Sequence, residues 1–338
     1  MERTLTLAAV AFVLAGLSAG PSHAEAIKFR IALDTGPAHV RNIAVEQFVA
    51  AVKAKAGSQI AMEVFPNGQL YKGPDEPRAL ARGDLDMAVP GLWQLDKVEA
   101  NAIITTLPSF AGLSPEQLTR LVDGPVAGDL NKRFESKLRV HVLGRYLALG
   151  YAHTYSATKP IRTMEDMRGM KVRIPGGAAI LALFKSRGAN PVVIPWADVP
   201  LALSQGTIDA LQSSDETIRS GKMWDAGLKH AFADGGVYLH YIPMVAKPSW
   251  DKLGPALQKT VAEAWESIVD AQRRLAETRQ AEAREENKRN GITYVIPTDA
   301  ELQRARLAAA AQTDEVVKSM ELDPDLLRKA KASVGLGS

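Results

Sequence analysis

An arginine stands inside a short apolar strand near the middle of the chain. Val172 and Ile174 flank Arg173, and Pro175 and Gly176 end the strand. Side chains alternate between the faces of a strand, so the guanidinium leaves on the face opposite its apolar neighbours. A buried guanidinium is costly unless it meets an anion. That anion is either an internal Asp or Glu carboxylate or the carboxylate of a ligand. Without further context, the internal salt bridge is the simpler interpretation.

Other side chains with chemical potential follow the ends of predicted strands. In open α/β sheets, ligands bind beyond the carboxyl ends of the strands. An indole at such an end either stacks on a ligand or packs a loop. A histidine there is either a ligand-facing donor or a surface residue, and position alone does not decide. The candidates in these positions are His39, Trp93, His153, Ser213 and Asp215.

Catalytic signatures are absent from residues 27–338. The nucleophile-elbow, P-loop, H-E-x-x-H and G-x-G-x-x-G patterns do not occur there, and no two histidines have metal-ligand spacing. The chain also has no cysteine, which excludes thiol nucleophiles and cysteine-based metal sites. We therefore predict that the protein is not an enzyme and uses no cofactor or metal. An exported enzyme whose cleft site is assembled from distant residues is the alternative.

Two blocks of alternating strands and helices must position the candidate residues, and this order predicts an α/β fold with parallel sheets and right-handed crossovers. In the first block, strands and helices alternate over residues 27–33, 39–55, 60–65, 77–82 and 85–89. The second block begins with the strand around Arg173 and continues over residues 178–187, 191–194, 198–205 and 207–212. The two halves share a plan without an evident sequence repeat.

The longest helical pattern covers residues 255–290, with charges of both signs in its second half. A helix of this length spans roughly 50 Å at about 1.5 Å per residue. It is too long for one small domain, so we expect it to lie across two. Before it, residues 237–245 are predicted to form one strand, in which Pro243 indicates an edge or a bend.

Residues 1–26 have the pattern of a cleavable secretory signal peptide, with Arg3, an apolar run over residues 5–17 and small residues at the cleavage candidates. The lack of cysteine removes a cysteine-linked lipid anchor, so we expect a free periplasmic protein and not a lipoprotein. The net charge is +3, and no cluster of Lys and Arg stands out. Nucleic acid is therefore not an expected partner.

The order and spacing of several motifs resemble the DctP-like solute-binding proteins of tripartite ATP-independent periplasmic (TRAP) transporters. The resemblance covers nearly all of residues 27–330. Singly the motifs are weak, but together their order is specific. They comprise residues 65–70 (FPNGQL), 83–87 (GDLDM), 166–175 (DMRGMKVRIP) and 199–209 (VPLALSQGTID), followed by the long helix.

This resemblance implies a two-domain periplasmic-binding-protein clamp, with a long helix spanning both domains, that closes on a small organic acid. Arg173 would hold the ligand carboxylate. The expected partners are the TRAP membrane permease subunits, and a monomer is expected. Domain I would comprise residues 27–150 and 237–275, and domain II residues 151–236 and 276–338, with hinges near Gly150 and Val237. A binding protein of an ATP-driven importer is the alternative with the same clamp logic.

Two departures from the resembled family bear on the ligand. Many members carry a second basic residue, usually Arg, where this chain has His153. Amide and acidic residues are common in the family where this chain has Ser213 and its neighbours. Trp93 would supply an aromatic wall, and His39 and Asp215 complete the expected contacts. We therefore expect a monocarboxylate with an apolar or aromatic body.

Overall fold

The structure is a computed structural model that describes residues 26–336. The predicted signal peptide lies almost wholly outside the described residues. The first part of the chain forms β1 (Ile27–Ala32), α1 (Val40–Ala56), β2 (Ile60–Phe65), α2 (Glu76–Arg82), β3 (Met87–Ala88), α3 (Pro115–Asp123), α4 (Pro125–Leu138) and β4 (Val140–Val142). Short 3₁₀ helices connect these elements, the longest at Ala100–Thr106.

A second group of elements follows, and the chain then returns to the first group. The second group contains β5 (Leu147–Ser156), β6 (Lys171–Ile174), α5 (Ala178–Ser186), β7 (Asn190–Val193), α6 (Val199–Ser204), β8 (Ala210–Ser214), α7 (Asp215–Ser220) and β9 (His230–Tyr241). The last elements are β10 (Met244–Ala246), α8 (Lys247–Arg289), β11 (Thr293–Val295), α9 (Asp299–Ser319) and α10 (Pro324–Ser333).

The strands form two mixed sheets, one in each domain. The first has the order β2-β1-β3-β10-β4, and β1 pairs in parallel with both β2 and β3. The second has the order β11-β9-β5-β8-β6-β7, in which β6 is parallel to β7 and β8. The predicted α/β fold with a parallel first block is therefore confirmed.

The prediction of one continuous strand over residues 237–245 was wrong, because the chain passes from the second sheet to the first within this segment. β9 stays in the second sheet as far as Tyr241, whereas β10 begins at Met244 in the first sheet. Ile242 and Pro243 make the crossing. A proline has no N–H for a strand ladder, so it is better suited to this connection than to a strand interior.

The chain crosses between the domains at residues 143–146 and again at residues 242–243. Gly150 and Val237, the predicted hinges, instead lie within β5 and β9, which pair with each other in the second sheet. Helix α10 packs against α3 and α4 of the first domain rather than against the second domain. We therefore propose domain boundaries at the two crossings, with α10 counted in the first domain.

The long helix α8 packs on both domains, contacting α1 of the first and β5 and α7 of the second. It begins earlier than predicted, at Lys247, and is interrupted at Gly254, whose φ is 67°. Pro255 follows and restarts the helix at a position where a missing N–H costs little. Among residues 26–336, no helix combines the length and apolar composition that a bilayer crossing requires.

Candidate ligand-binding cavity

A cavity of about 40 Å³ lies between the two domains. At roughly 10–15 Å³ for each water-sized position, it holds about three to four such positions, so it suits a small occupant. The first domain, the second domain and the crossing strands β5 and β9 all contribute to the lining, which is formed by Asp34, Thr35, Arg41, Trp93, Gln94, Leu149, Arg173, Pro175, Trp196, Gln212, Ser213, Thr217, Leu239 and Tyr241.

Arg173 enters this cavity from the end of β6 and is only 4% exposed. Its Nε donates to the carbonyl oxygen of Ile194 at 2.8 Å, and its Nη1 donates to that of Gln212 at 3.3 Å. The ring of Trp196 lies 5.6 Å from the guanidinium carbon. Within the described part of the chain, Nη2 has no acceptor and no carboxylate forms an ion pair with Arg173. The internal salt bridge that the strand alone favoured is therefore not formed.

The charge of Arg173 is maintained despite its burial. Desolvation lowers the pKa of Arg173 to about 10, and Asp34 and Tyr241 nearby offset part of this effect. A pKa of about 10 still leaves the side chain cationic at neutral pH. The strand thus holds a desolvated cation whose acceptors, within the described part of the chain, are two neutral carbonyl oxygens.

Arg41 faces the same cavity from α1 and has a different environment. Its Nη2 forms an ion pair with Asp34 and donates to Oγ1 of Thr35 at 2.7 Å. Its Nη1 donates to the carbonyl oxygen of Val89 at 3.0 Å, and the guanidinium lies 4.3 Å from the ring centre of Tyr241. Burial alone would lower the pKa of Arg41, but Asp34 and Tyr241 raise it above its usual range. Its charge is therefore already neutralised by the protein.

Glu76 lies behind this ion pair as a second buried carboxyl group. It is fully buried, and neither of its oxygens has a hydrogen-bond partner among the described residues. Desolvation raises its pKa well above the usual range, Asp34 adds to the increase, and Arg41 opposes it. This raised pKa favours the protonated form of Glu76, in which the ion pair of Arg41 and Asp34 stays balanced and Arg173 supplies the net positive charge of the cavity.

Aromatic side chains form much of the remaining wall. The rings of Trp93 and Tyr241 are tilted against each other with centres 5.4 Å apart. A Cβ atom at Gly91 would lie 2.3 Å from Cζ2 of Trp93, so the indole needs a glycine at that position. The indole Nε1 of Trp93 is buried without an acceptor. Trp93 and Tyr241 thus both line the cavity, and the indole N–H is a donor without an acceptor among residues 26–336, while contact of Trp93 with a ligand stays a prediction.

The end of β8 presents polar atoms that the protein leaves unpaired. Oε1 of Gln212 is buried and accepts no hydrogen bond. Ser213 also lines the cavity, and its hydroxyl forms no hydrogen bond with the described residues. Of the six residues predicted from sequence, Arg173, Trp93 and Ser213 are brought together here. Their role as ligand contacts stays a prediction.

His39 lies beside the cavity lining, at the contact between domains. Its Nδ1 accepts from the backbone N–H of Arg41 at 3.1 Å and caps α1, so the ring proton is on Nε2. That nitrogen lies 3.1 Å from Oγ1 of Thr217 and 3.3 Å from Oε2 of Glu216. Burial, followed by the charges of Arg41 and Arg219, lowers the pKa of His39 well below its usual value. His39 therefore joins the domains as a neutral side chain.

His153 and Asp215 lie outside the cavity lining, in a network that is built around Arg284 of α8. Nδ1 of His153 accepts from the N–H of Gly235 at 3.0 Å, and its Nε2 is 3.0 Å from Nη2 of Arg284. The Asp215 carboxylate pairs with Arg284 at 2.8 Å and accepts from two tyrosine hydroxyls. Both side chains are satisfied within the protein, so we do not include them among the proposed ligand contacts.

Several lining residues were not predicted, although one of them carries a readable signal. Arg41 occupies the apolar stripe of α1 together with Ala44, Val45 and Phe48, where a charged residue is unusual. Asp34 lies in a predicted strand-end segment but was not singled out. Trp196, Gln212, Leu239 and Tyr241 reach the cavity only through strand register, which a local pattern does not reveal.

Two further contacts join the domains around the cavity. Lys72 of the first domain pairs with Asp198 of the second at 2.7 Å, and both side chains are nearly half exposed. Asp96 accepts from the backbone N–H of Ala178 at 2.9 Å, at the first turn of α5. These contacts require the two domains to be close together, as they are in a closed clamp.

Comparison with known proteins gives a consistent result. Residues 32–319 match the family 7 bacterial extracellular solute-binding proteins, DctP. The chain is 24% identical over 319 residues to the 2,3-diketo-L-gulonate-binding periplasmic protein YiaO of Escherichia coli, covering 94% of this chain and 96% of that protein. It is 26% identical over 297 residues to the C4-dicarboxylate-binding protein DctB of Bacillus subtilis, covering 87% and 83%.

A solved structure shares the fold. The TRAP periplasmic solute-binding protein of Ralstonia eutropha, crystallised with (S)-2-acetolactate, matches with a TM-score of 0.84. The sequence identity is 24%, and the match covers 91% of this chain and 98% of that chain. The two-domain clamp expected from the sequence motifs is therefore confirmed.

Proposed function

The chain belongs to family 7 of the bacterial extracellular solute-binding proteins, the DctP family of TRAP transporters, and on this premise we propose that Arg173 holds the carboxylate of its ligand. Members of this family are periplasmic solute-binding proteins of transport systems, and they bind small organic acids. What these relatives bind ranges from a sugar acid to C4-dicarboxylates. The family alone therefore leaves the ligand of this chain to be argued from its cavity.

The unpaired state of Arg173 is the observation that supports this role. Its guanidinium is desolvated, and its hydrogen-bond acceptors among residues 26–336 are two neutral carbonyl oxygens. A ligand carboxylate supplies the missing anion, and the planar guanidinium fork matches a carboxylate in bidentate geometry. The other cation of the cavity, Arg41, already has Asp34.

Closure of the two domains links the contact between Arg173 and the ligand carboxylate to capture of the ligand. The lining comes from both domains, so the cavity exists only when they meet. Closing without an anion leaves Arg173 desolvated and unpaired, which is unfavourable. A bound carboxylate removes this penalty in the closed state, and a ligand shifts an equilibrium by its differential affinity for the two states. The ligand therefore favours the closed clamp.

Delivery follows from the class of transporter. In this proposal the protein acts as a free periplasmic monomer, exported by its signal peptide, that carries the organic acid to the membrane permease subunits. The proposed clamp has domain boundaries at residues 143–146 and 242–243. No enzymatic step is needed, because capture and release require only the opening and closing of the domains.

Substitution of Arg173 tests the proposed contact. Arg173→Ala should weaken binding of an organic acid by roughly 2–5 kcal/mol, because the ligand carboxylate would be buried without its cation. Arg173→Lys should also lose much of the affinity, since an ammonium does not reproduce the fork. The measurement is isothermal titration calorimetry with the tightest acid found by thermal shift, where ligand at 100 times Kd adds about 2.7 kcal/mol of stability.

The exposed arginine Arg162 provides a matched control in the same domain. Arg162→Ala should bind the acid with wild-type affinity, because its side chain is outside the cavity. Unchanged affinity in the Arg173→Ala variant would sink the proposed role of Arg173. Failure of every member of a broad carboxylate panel to stabilise the wild-type protein would count against organic-acid capture itself.

A further inference from the structure

A histidine of one domain meets a glutamate of the other beside the ligand cavity. His39 precedes α1 of the first domain, and Glu216 lies in the first turn of α7 of the second. Nε2 of His39 is 3.3 Å from Oε2 of Glu216, and the two side chains are 1% and 0% exposed. Resting on the proposed function, we infer that these two residues, the interface pair, exchange one proton when the clamp closes. His39 gives up a proton and Glu216 takes one up, so ligand capture leaves the number of bound protons nearly unchanged.

Hydrogen-bond geometry determines the charge of His39 in the closed clamp. Its Nδ1 accepts from the backbone N–H of Arg41 at 3.1 Å and therefore holds no proton. Its Nε2 lies 3.1 Å from Oγ1 of Thr217 and donates to it. An imidazolium carries a proton on each ring nitrogen, so it would place an N–H against the N–H of Arg41. The closed clamp therefore requires a neutral His39.

Glu216 has one oxygen that is well paired and one that is not. Its Oε1 accepts from the backbone N–H of Val40 at 3.1 Å and from Nη2 of Arg219 at 3.3 Å. Its Oε2 is buried and has no hydrogen-bond partner among residues 26–336. A desolvated carboxylate oxygen without a donor is costly, and burial raises the pKa of Glu216 to about 7. A proton on Oε2 removes this cost.

The charged and titratable groups around the interface pair come from four elements: Arg41 of α1, Arg219 of α7, Arg279 and Glu286 of α8, and Tyr241 of β9. After burial, Arg41 and Arg219 lower the pKa of the histidine. Arg219 and Arg279 oppose the raised pKa of the glutamate, but burial outweighs them. Burial also raises the pKa of Tyr241 and keeps it protonated, and Glu286 pairs with Arg219 at 3.8 Å. Near neutral pH and below, these surroundings favour the uncharged form of both members of the pair.

The proton count balances between the open and closed clamp. Opening separates the domains and returns both side chains to water, where the pKa of histidine is about 6.5 and that of glutamate about 4.3. Between these values the open pair is an imidazolium and a carboxylate, whereas the closed pair is an imidazole and a carboxylic acid. On closure, the Nδ1–H bond of His39 breaks and an O–H bond forms at Oε2 of Glu216, with the proton carried by water. One positive and one negative charge disappear together.

Each member of the pair alone would make capture depend on pH, with opposite signs. The lowered closed-state pKa of His39 opposes closure as the pH falls below about 6.5, because a proton must be lost. The raised closed-state pKa of Glu216 favours closure as the pH falls below 7, because a proton is gained. With both residues present, ligand affinity should change by less than about threefold between pH 8 and pH 5.

Calorimetric titration from pH 5 to 8 tests the inference with two variants. The probe is pyruvate or, where pyruvate binds too weakly to measure, the tightest acid of the carboxylate panel that stays ionised above pH 5. Glu216→Gln cannot take up the proton, so its affinity should fall at least about tenfold from pH 7 to pH 5. His39→Asn keeps a capping oxygen for α1 and has no proton to lose, so its affinity should rise at least about tenfold over the same range.

His141 and Glu135 provide the matched control, because they form a histidine–glutamate pair at 3.1 Å within the first domain. His141→Asn and Glu135→Gln should keep the flat profile of the wild type. A flat profile in both His39→Asn and Glu216→Gln would overturn the inference. So would a wild type whose affinity falls at least about tenfold from pH 7 to pH 5, since Glu216 would then take up no proton. If circular dichroism shows that His39→Asn does not fold, the comparison of Glu216→Gln with the wild type decides.

The inference and the proposed function fail in different ways. If the wild type binds an acid through Arg173 but the variants lack the opposite slopes, the interface pair is wrongly assigned and the capture function stands. If no carboxylate binds at all, the proposed function itself fails. A flat wild-type profile together with opposite slopes in the two variants supports both.

Discussion

Two arginines reach the same cavity from opposite domains, and the protein treats them differently. Arg41 of α1 donates to the carboxylate of Asp34, the hydroxyl of Thr35 and the carbonyl oxygen of Val89. Arg173 of β6 donates to two carbonyl oxygens and, among residues 26–336, pairs with no carboxylate. Both are buried, at 1% and 4% exposure. Burial alone therefore does not distinguish a structural cation from a cation that binds a ligand. The presence or absence of a counter-ion within the protein distinguishes them.

The difference also shows how one cavity can hold two cations and still bind a single anion. Asp34 neutralises Arg41, and the raised pKa of the nearby Glu76 opposes a second negative charge beside that pair. The first domain therefore presents a balanced surface, while the second domain presents one free positive charge. We expect the charged residues of the first domain to determine folding stability and Arg173 of the second domain to determine ligand affinity.

The largest expected effect comes from making the same substitution at both arginines. Arg41→Met should lower the free energy of unfolding by about 3–5 kcal/mol, because Asp34 would be buried without its cation. Arg173→Met should leave that free energy nearly unchanged or raise it, because it removes an unpaired buried cation and fills a similar volume. Urea denaturation of the ligand-free proteins measures both values.

Equal losses of stability in the two variants would contradict the distinction between them. The double variant Arg41→Met with Asp34→Asn provides a control, since it removes both charges of the pair. It should recover part of the stability lost in Arg41→Met alone. A double variant as unstable as the sum of its parts would indicate that hydrogen bonds to neutral groups, and not the ion pair, dominate at Arg41.

An intermediate effect is expected from the pH dependence of Glu76. The raised pKa of this buried carboxyl means that the native state binds a proton more tightly than the unfolded state does. Between the unfolded pKa near 4.3 and the raised native value, the contribution of Glu76 to stability should fall as pH rises, by up to about 1.4 kcal/mol per pH unit. Denaturation of the wild type and of Glu76→Gln from pH 5 to 8 measures this slope.

Glutamine mimics the protonated acid, so the difference in unfolding free energy between the two proteins isolates the titration. That difference should shift in favour of the variant as the pH rises. A constant difference across the range would show that Glu76 is ionised in the native state. In that case Arg41 would face two anions, and the charge balance on which the comparison rests would be wrong.

Much of the fold could be predicted from sequence because its signals are local. Apolar alternation with glycine and proline at the ends predicted β1, β2 and β3, and helical periodicity predicted α8. Arg173 was predicted as a candidate from its own strand, in which a charge among apolar residues is conspicuous. The missing counter-ion could not be predicted, because it depends on every residue that packs around the guanidinium.

His153 and Asp215 show why the rest of the site could not be predicted from local sequence signals. Asp215 follows the end of β8, whereas His153 lies inside β5, beyond the strand end that the sequence predicted, and Arg284 of α8 contacts both side chains. Arg284 is 131 residues away from His153 in sequence. The register of β5 is also shifted by irregularities near Gly150 and His153, which change the direction of side chains without an obvious sequence signal.

The ion pair between Lys72 and Asp198 offers the smallest effect and compares an exposed pair with the buried one. It joins the two domains at 2.7 Å, yet both side chains are nearly half exposed, so water and salt screen it. Lys72→Ala should leave the unfolding free energy within about 0.5 kcal/mol and weaken ligand binding by at most about fivefold, since exposed pairs contribute about 0–1 kcal/mol. Calorimetry at low and high salt should show that the difference in affinity between Lys72→Ala and the wild type disappears as the salt concentration rises.

Lys247→Ala is the matched control, because Lys247 pairs with Asp251 inside α8 and this pair does not join the two domains. A loss of affinity in Lys72→Ala as large as that expected for Arg173→Ala would mean that the surface contacts, and not the cation in the cavity, hold the clamp closed.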